Sequence, residues 1–144
     1  MGHRSITMNQ MESAVISDEE SRSQPLTISV IMPVYNGAEF IITSLPPLLA
    51  MQQRGEIMEV IVVDDGSTDA CASILDRMAA AGRIILLRQT NQGQNAAFNA
   101  GLALSTGEYI QYLDADDVLD SGKIAAQMQR LAGSPKAIAT CAWG

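Results

Sequence analysis

Gly107-Glu108-Tyr109-Ile110-Gln111-Tyr112-Leu113-Asp114-Ala115-Asp116-Asp117 begins as a strand and ends as a knot of acids. Tyr109, Ile110, Tyr112 and Leu113 carry the aromatic and β-branched bias of a buried strand, and Gly107 marks its start. The apolar run then stops and three carboxylates follow. In an extended exit, side chains two apart share a face, so Asp114 and Asp116 are expected to point the same way. Carboxylates that close repel one another unless a cation lies between them. A hard divalent ion, Mg²⁺ or Mn²⁺, suits oxygen ligands and keeps positions open for phosphates. The plainer alternative is a polar loop in which Asp116 or Asp117 caps the next helix.

Upstream, Ile28 to Met32 is a nearly unbroken apolar run, as in a central parallel strand covered on both faces, and Pro33-Val34-Tyr35-Asn36-Gly37 is a loop. A helix is predicted from about Ala38 to Arg54, with Phe40, Ile41, Leu45, Leu48 and Leu49 on one side. Pro46-Pro47 predicts a kink, or a second helical segment starting at the prolines. Glu59 to Asp64 is the second strand, and Asp69 or Ser67 caps a helix running to about Ala81 with Ile74, Leu75 and Met78 inward. Ile84 to Leu87 is the third strand, and Gly93 to Ser105 an alanine-rich helix. After the opening stretch come a helix from about Ser121 to Leu131 and a last strand at Ala137 to Cys141. The order β-α-β-α-β-α-β-α-β with short connections predicts an α/β fold, a parallel sheet with helices on both faces.

Composition narrows the function. A formal net charge of −7 argues against nucleic acid or an anionic membrane as the main partner. No apolar run approaches the length of a membrane span and the start lacks a signal-peptide core, so a cytoplasmic protein, peripheral at most to the inner face of the membrane, is expected. Cys71 and Cys141 form no metal-type or redox-type pair and read as free thiols. The only histidine is His3, which excludes a Ser-His-Asp or Cys-His site and a His-rich metal site. Proton transfer must therefore use a carboxylate. Residues Met1 to Pro25 form a polar tail with no assigned function.

In such sheets ligands bind beyond the carboxyl ends of the strands. Tyr35 and Asn36 follow strand one, Asp64 and Asp65 strand two, and Asp114, Asp116 and Asp117 strand four. Asn91 and Gly93 precede a helix whose N-terminus can offer backbone N–H groups to an anion. Each has a plainer reading: a surface aromatic, turn chemistry at Asp64-Asp65-Gly66, a simple strand end. Their coincidence at one sheet edge favours a nucleotide-diphosphate site, which would use an aromatic face, acceptors for a base or sugar, a metal-binding carboxylate pair and a positive helix end.

Pro33-Val34-Tyr35-Asn36, Val62-Val63-Asp64-Asp65-Gly66-Ser67-Thr68-Asp69, Asn91-x-Gly93 with Ala97-x-Asn99-x-Gly101, Gly107-Glu108-Tyr109-Ile110 and Leu113-Asp114-Ala115-Asp116-Asp117 follow one another in an order that resembles the inverting family-two glycosyltransferases of the GT-A fold. The resemblance runs from about Leu26 to Gly144, and implies that residues 26–144 are the N-terminal, donor-binding half of such an enzyme. It implies that Pro33, Val34 and Tyr35 line the base pocket, with Tyr35 stacking on the base. By the same likeness Asp65 accepts a hydrogen bond from that base, typically uracil, and Asn91 and Gly93 belong to the donor site. Asp114 then lies near the ribose, Asp116 ligates the Mn²⁺ or Mg²⁺ that bridges the diphosphate, and Asp117 supports it. The implied partners are a nucleotide-diphosphate sugar and a glycan or lipid-linked acceptor, in polysaccharide assembly.

Two departures stand out. Where many relatives carry an arginine after Ala97, this chain has Phe98, which removes a possible phosphate contact. In the family the catalytic base lies beyond the fifth strand, so no acid here is assigned as base, and the chain reads as a truncated donor-binding half. The alternative function is a nucleotide-binding module with no turnover of its own, or one completed by a partner chain. A receiver domain fits poorly, because strand three ends in Leu87-Arg88-Gln89-Thr90, without a phospho-acceptor acid. An EF-hand lacks its glycine and distal glutamate. An uncovered strand edge after strand five is expected to drive association, as a homodimer or aggregate.

Overall fold

The structure is a computed structural model that describes residues 27–132. The polar tail with His3, the expected strand at 137–141 and Cys141 lie outside the described residues. Among the described residues four strands and four helices alternate: β1 (Ile28–Val34), α1 (Ala38–Gln53), β2 (Glu59–Asp64), α2 (Cys71–Ala80), β3 (Ile85–Arg88), α3 (Gln94–Leu104), β4 (Tyr109–Tyr112) and α4 (Ser121–Leu131). All strand pairs are parallel, in the order β3-β2-β1-β4. The two central strands, β1 and β2, are buried along almost their whole length, as their continuous apolar runs require.

The period of two splits the central strands between two faces. Val30, Met32, Val60 and Val62 join Ile41, Leu45 and Leu48 of α1, Leu75 of α2 and Ile124 of α4 in the larger core. Ile61 and Val63 face the other way and pack on Ala97 of α3. That second layer is thin because the backbone of α3 at Gly101 comes down directly onto side chains of the sheet. A Cβ on Gly101 would stand 2.5 Å from Ile31 Cγ2 and 3.2 Å from Val63 Cγ2. Thus α1 and α2 cover one face and α3 the other, the arrangement of a Rossmann-like α/β sheet.

The chain steps outward from β1 to β2 to β3, then returns through α3 to place β4 on the free side of β1. The switch point therefore lies between β1 and β4, and Pro33 opens it. Even-numbered residues of β1 bond to the β2 side: Ile28 O accepts from Met58 N at 2.9 Å and Val34 O from Asp65 N at 2.8 Å. Odd-numbered ones bond toward β4, where Leu113 N donates to Ile31 O at 3.0 Å. The next rung would need an N–H on residue 33, and proline has none. Pairing with β4 stops at Ile31↔Tyr112, while pairing with β2 continues to Val34↔Asp64. This also explains why β1 runs two residues past the expected end at Met32.

Helix α1 is one continuous 16-residue element with Pro46 and Pro47 inside it, not two segments meeting at the prolines. Leu45, Leu48 and Leu49 are buried around them, so tertiary packing offsets the lost hydrogen bonds. Phe40, expected on the inner face of this helix, is instead 44% exposed, and Ile41 takes the core position. Strand β3 begins one residue later than expected, at Ile85.

Candidate functional site

The carboxyl ends of β1, β2 and β4 are joined by side-chain hydrogen bonds before any ligand is considered. Asn36, just after β1, adopts φ +49°, a left-handed conformation that asparagine tolerates better than most residues. Its Oδ1 accepts from Thr68 N at 2.7 Å, Thr68 Oγ1 at 3.3 Å and Asp69 N at 3.3 Å, and its own N–H donates to Ser67 Oγ at 3.0 Å. Asp69 completes the stitch by accepting from Ala38 N and Cys71 N, both at 3.0 Å, at the starts of α1 and α2. Asn36 therefore braces the two loops. The adjacent Tyr35, 53% exposed, is presented from a fixed backbone.

Asp64 and Asp65 end β2 as buried carboxylates. Asp64 accepts from Ser67 N at 2.9 Å and from Arg88 Nε at 3.2 Å. The same guanidinium donates to Asp76 Oδ1 at 2.7 Å and to the Ala72 carbonyl at 2.8 Å, which ties the end of β3 to α2. Asp65 accepts from Gln89 Nε2 and Gln92 N, both at 2.8 Å, and from Gly93 N at 2.9 Å. Burial pushes this carboxyl up, but the hydrogen bonds from Gln89, Gln92 and Gly93 outweigh it and hold it below the ordinary aspartate range. The N–H of Gly93, expected to be offered to an anion, is thus already engaged by Asp65.

The acids after β4 are arranged differently. The chain does not leave the strand extended: Asp117 N donates to the Asp114 carbonyl at 3.0 Å, closing a turn. That turn brings Asp117 in beside Asp114 and Asp116, and one carboxylate oxygen from each lies within 4.8 Å of the others. Among the described residues, no lysine or arginine forms an ion pair with any of the three. Desolvation, then the charges of Asp117 and Asp116, push the Asp114 carboxyl up, against a hydrogen bond donated by Gln94 Nε2. Clustered acids with spare lone pairs and no protein cation are a donor set suited to a hard divalent ion.

These parts meet around a cavity of about 340 Å³. Pro33, Val34, Tyr35 and Phe40 form its apolar side, and Asp65, Gln94, Asp114 and Asp116 its polar side. Of the residues expected in the donor site, Pro33, Val34, Tyr35, Asp65, Asp114 and Asp116 are brought together here, whereas Asn91 and Gly93 are not part of this lining. Sequence reasoning missed Gln94 and Phe40. Gln94 follows the expected loop glycine directly and is the first residue of α3, a signal in plain view; Phe40 was hidden by a helical spacing that assigned it to the core. Phe98, noted for standing where relatives carry arginine, packs edge-on against Tyr112 with ring centroids 4.7 Å apart.

Comparison with known proteins gives a consistent picture. Residues 29–144 match the family model described as "Glycosyl transferase family 2". Glycosyltransferase GlyG of Streptococcus pneumoniae is 36% identical over 106 residues, covering 72% of this chain and 35% of the relative. Among solved structures, S. aureus TarS 1-349 in complex with UDP-GlcNAc superposes with a TM-score of 0.61 at 28% identity, covering 74% of this chain and 31% of that fragment. The mannosyltransferase PcManGT from Pyrobaculum calidifontis, in complex with GDP-Man and Mn²⁺, gives 0.65 at 28% identity, covering 78% and 34%. The chain spans about a third of the length of GlyG, of PcManGT and of the TarS 1-349 fragment.

Proposed function

Because the chain belongs to glycosyl transferase family 2, we propose that it binds a UDP-linked sugar in the β1/β4 crevice and serves its transfer, with inversion, to an acceptor hydroxyl. The observation that carries this reading is the convergence of Tyr35, Asp65 and the Asp114–Asp117 turn on one cavity. Nucleotide sugars bound to TarS and PcManGT, proteins of similar fold, support the class of ligand.

In this reading Tyr35 lies against the base, between Pro33 and Val34 below and Asp65 beside it. Three of the acceptor sites on Asp65 are filled by protein donors, which fixes its carboxylate and leaves one lone pair for the base. Asp114, steadied by Gln94, meets the ribose. Asp116 holds Mn²⁺ or Mg²⁺, with Asp117 beside it as a supporting acid. Asn91 and Gly93 act on the donor through the loop that Asp65 organises. When bound, the ion acts as a Lewis acid on the departing diphosphate. The base that activates the acceptor hydroxyl is assigned to none of the described acids. The acceptor is read as a glycan or a lipid-linked sugar, met at the cytoplasmic side; no helix among the described residues is long and apolar enough to cross a membrane.

Isothermal titration of the 144-residue chain with UDP, with and without Mn²⁺, tests the donor site. Binding should require the metal and weaken at least about tenfold in Asp116→Ala. A folded chain that binds UDP in neither condition would reduce these acids to scaffold.

A further inference from the structure

Phe40 is out of place for a helix residue beside Ile41 and Leu45. It lies in the first turn of α1, its ring is 44% exposed, and it lines the same cavity as Tyr35. The chain has only six aromatic residues, two phenylalanines, three tyrosines and one tryptophan. Two of the six therefore stand exposed at the apolar side of one cavity whose other side is carboxylates.

The position of the ring is set by its surroundings. The helix start is held by Asp69, which accepts from Ala38 N, and Phe40 N itself donates to the Gly37 carbonyl at 3.0 Å. Gly37 leaves the space that Val34 needs, beside the ring. A Cβ there would stand 2.8 Å from Val34 Cγ2, 3.8 Å from Ala115 Cβ and 3.9 Å from Phe40 Cδ2. The ring thus stands where the end of β1 meets the turn that carries Asp114 and Asp116.

We propose that Phe40 is a second aromatic wall for the nucleoside, opposed to or flanking Tyr35, and that affinity for the base depends on both rings while affinity for the metal–diphosphate end does not. The inference rests on the donor-site reading above and adds a residue to it. Aromatic contact with a base is worth about tenfold or more in affinity, and leucine supplies apolar volume without the π-face.

The test compares the wild-type chain with Phe40→Leu and Phe40→Tyr by titration with UDP and with inorganic pyrophosphate, each with Mn²⁺, and by thermal melting. Phe40→Leu should lose about tenfold in UDP affinity, keep pyrophosphate affinity within about twofold, and melt with the wild type; Phe40→Tyr should retain UDP binding. Equal loss for UDP and pyrophosphate would show that the ring props the acid turn, and would overturn the proposal. So would UDP affinity unchanged in Phe40→Leu, with the donor site itself intact. A wild-type chain that binds pyrophosphate and UDP equally has no base subsite, and one that binds neither refutes the donor-site reading and this inference together.

Discussion

Asp64 and Asp65 at the end of β2 are buried and collect five hydrogen-bond donors, whereas Asp114, Asp116 and Asp117 after β4 receive one, from Gln94, among the described residues. The first pair has its charge answered by Arg88, backbone N–H groups and Gln89. The second group has its charges facing one another. An acid held by several protein donors shapes the fold and fixes neighbouring loops. Acids with free lone pairs and mutual repulsion hold electrostatic free energy that a cation can recover. The two clusters flank one cavity, so the difference separates the part of the site that is built in advance from the part that a ligand completes.

The sharpest way to break this distinction is to remove one acid from each group. Asp65→Ala leaves Gln89, Gln92 N and Gly93 N without their acceptor and should destabilise the chain by about 3 kcal/mol, read by urea denaturation. Asp117→Asn relieves like-charge repulsion and should leave stability unchanged or raise it by a few tenths of a kcal/mol, roughly the size of exposed charge effects. Comparable losses in both variants would mean that the acid turn is as structural as the β2 end. A smaller effect is expected at the stitch between loops. Asn36→Ala puts in the left-handed region a residue that tolerates it less well than asparagine, removes the Oδ1 acceptor and frees the Thr68 and Asp69 donors to water, costing about 1.5 kcal/mol. Asn36→Asp, which keeps the Oδ1 acceptor, should recover most of that cost; if it does not, the bonds to Thr68 and Asp69 carry little of the stability.

What the sequence revealed and what it hid follow the same division. Strand β2 and helix α4 run over the residues expected from periodicity and turn chemistry, because a continuous apolar run or an amphipathic repeat is local information. The resemblance to family two was legible for a related reason: its motifs are short stretches at strand ends. Hidden were the pairings across the chain. Asn36 meets Thr68, 32 residues away, and Asp65 meets Gly93, 28 residues away. Nothing in the spacing of Asp64-Asp65 against Asp114-x-Asp116 says which pair will find donors. The exposed ring of Phe40 was hidden because Ile41 competes for the same core position. The turn at Asp114–Asp117 was hidden because an extended exit and a tight turn both converge Asp114 and Asp116, and only the turn brings in Asp117.

The opposite end of the sheet offers the mildest test, and the one that depends on charge rather than shape. There Glu59 Oε1 accepts from Ser29 Oγ at 2.7 Å, Thr106 N at 2.7 Å and Thr106 Oγ1 at 3.1 Å, and Ser29 Oγ in turn accepts from Gly107 N at 2.9 Å. Like Asp65 this acid is held by three protein donors; it is far from the cavity and ties the starts of β1 and β2 to the loop that leads into β4. Burial pushes the Glu59 carboxyl up, but the donors from Ser29 and Thr106 outweigh it and leave it below the ordinary glutamate range. A carboxyl held below its unfolded value stabilises the fold at neutral pH, and that contribution fades as pH falls through the folded value. Glu59→Gln keeps an acceptor oxygen but no charge, so it should melt lower than wild type at pH 7, by an amount equivalent to about 0.5–1 kcal/mol. The gap should narrow as pH falls below about 5, as the wild-type carboxyl itself takes up a proton. A gap that stays constant over that range would assign the stabilisation to the shape of the network. One that closes would assign it to the charge, and would show that the same principle, an acid answered by donors, holds the sheet at both of its ends.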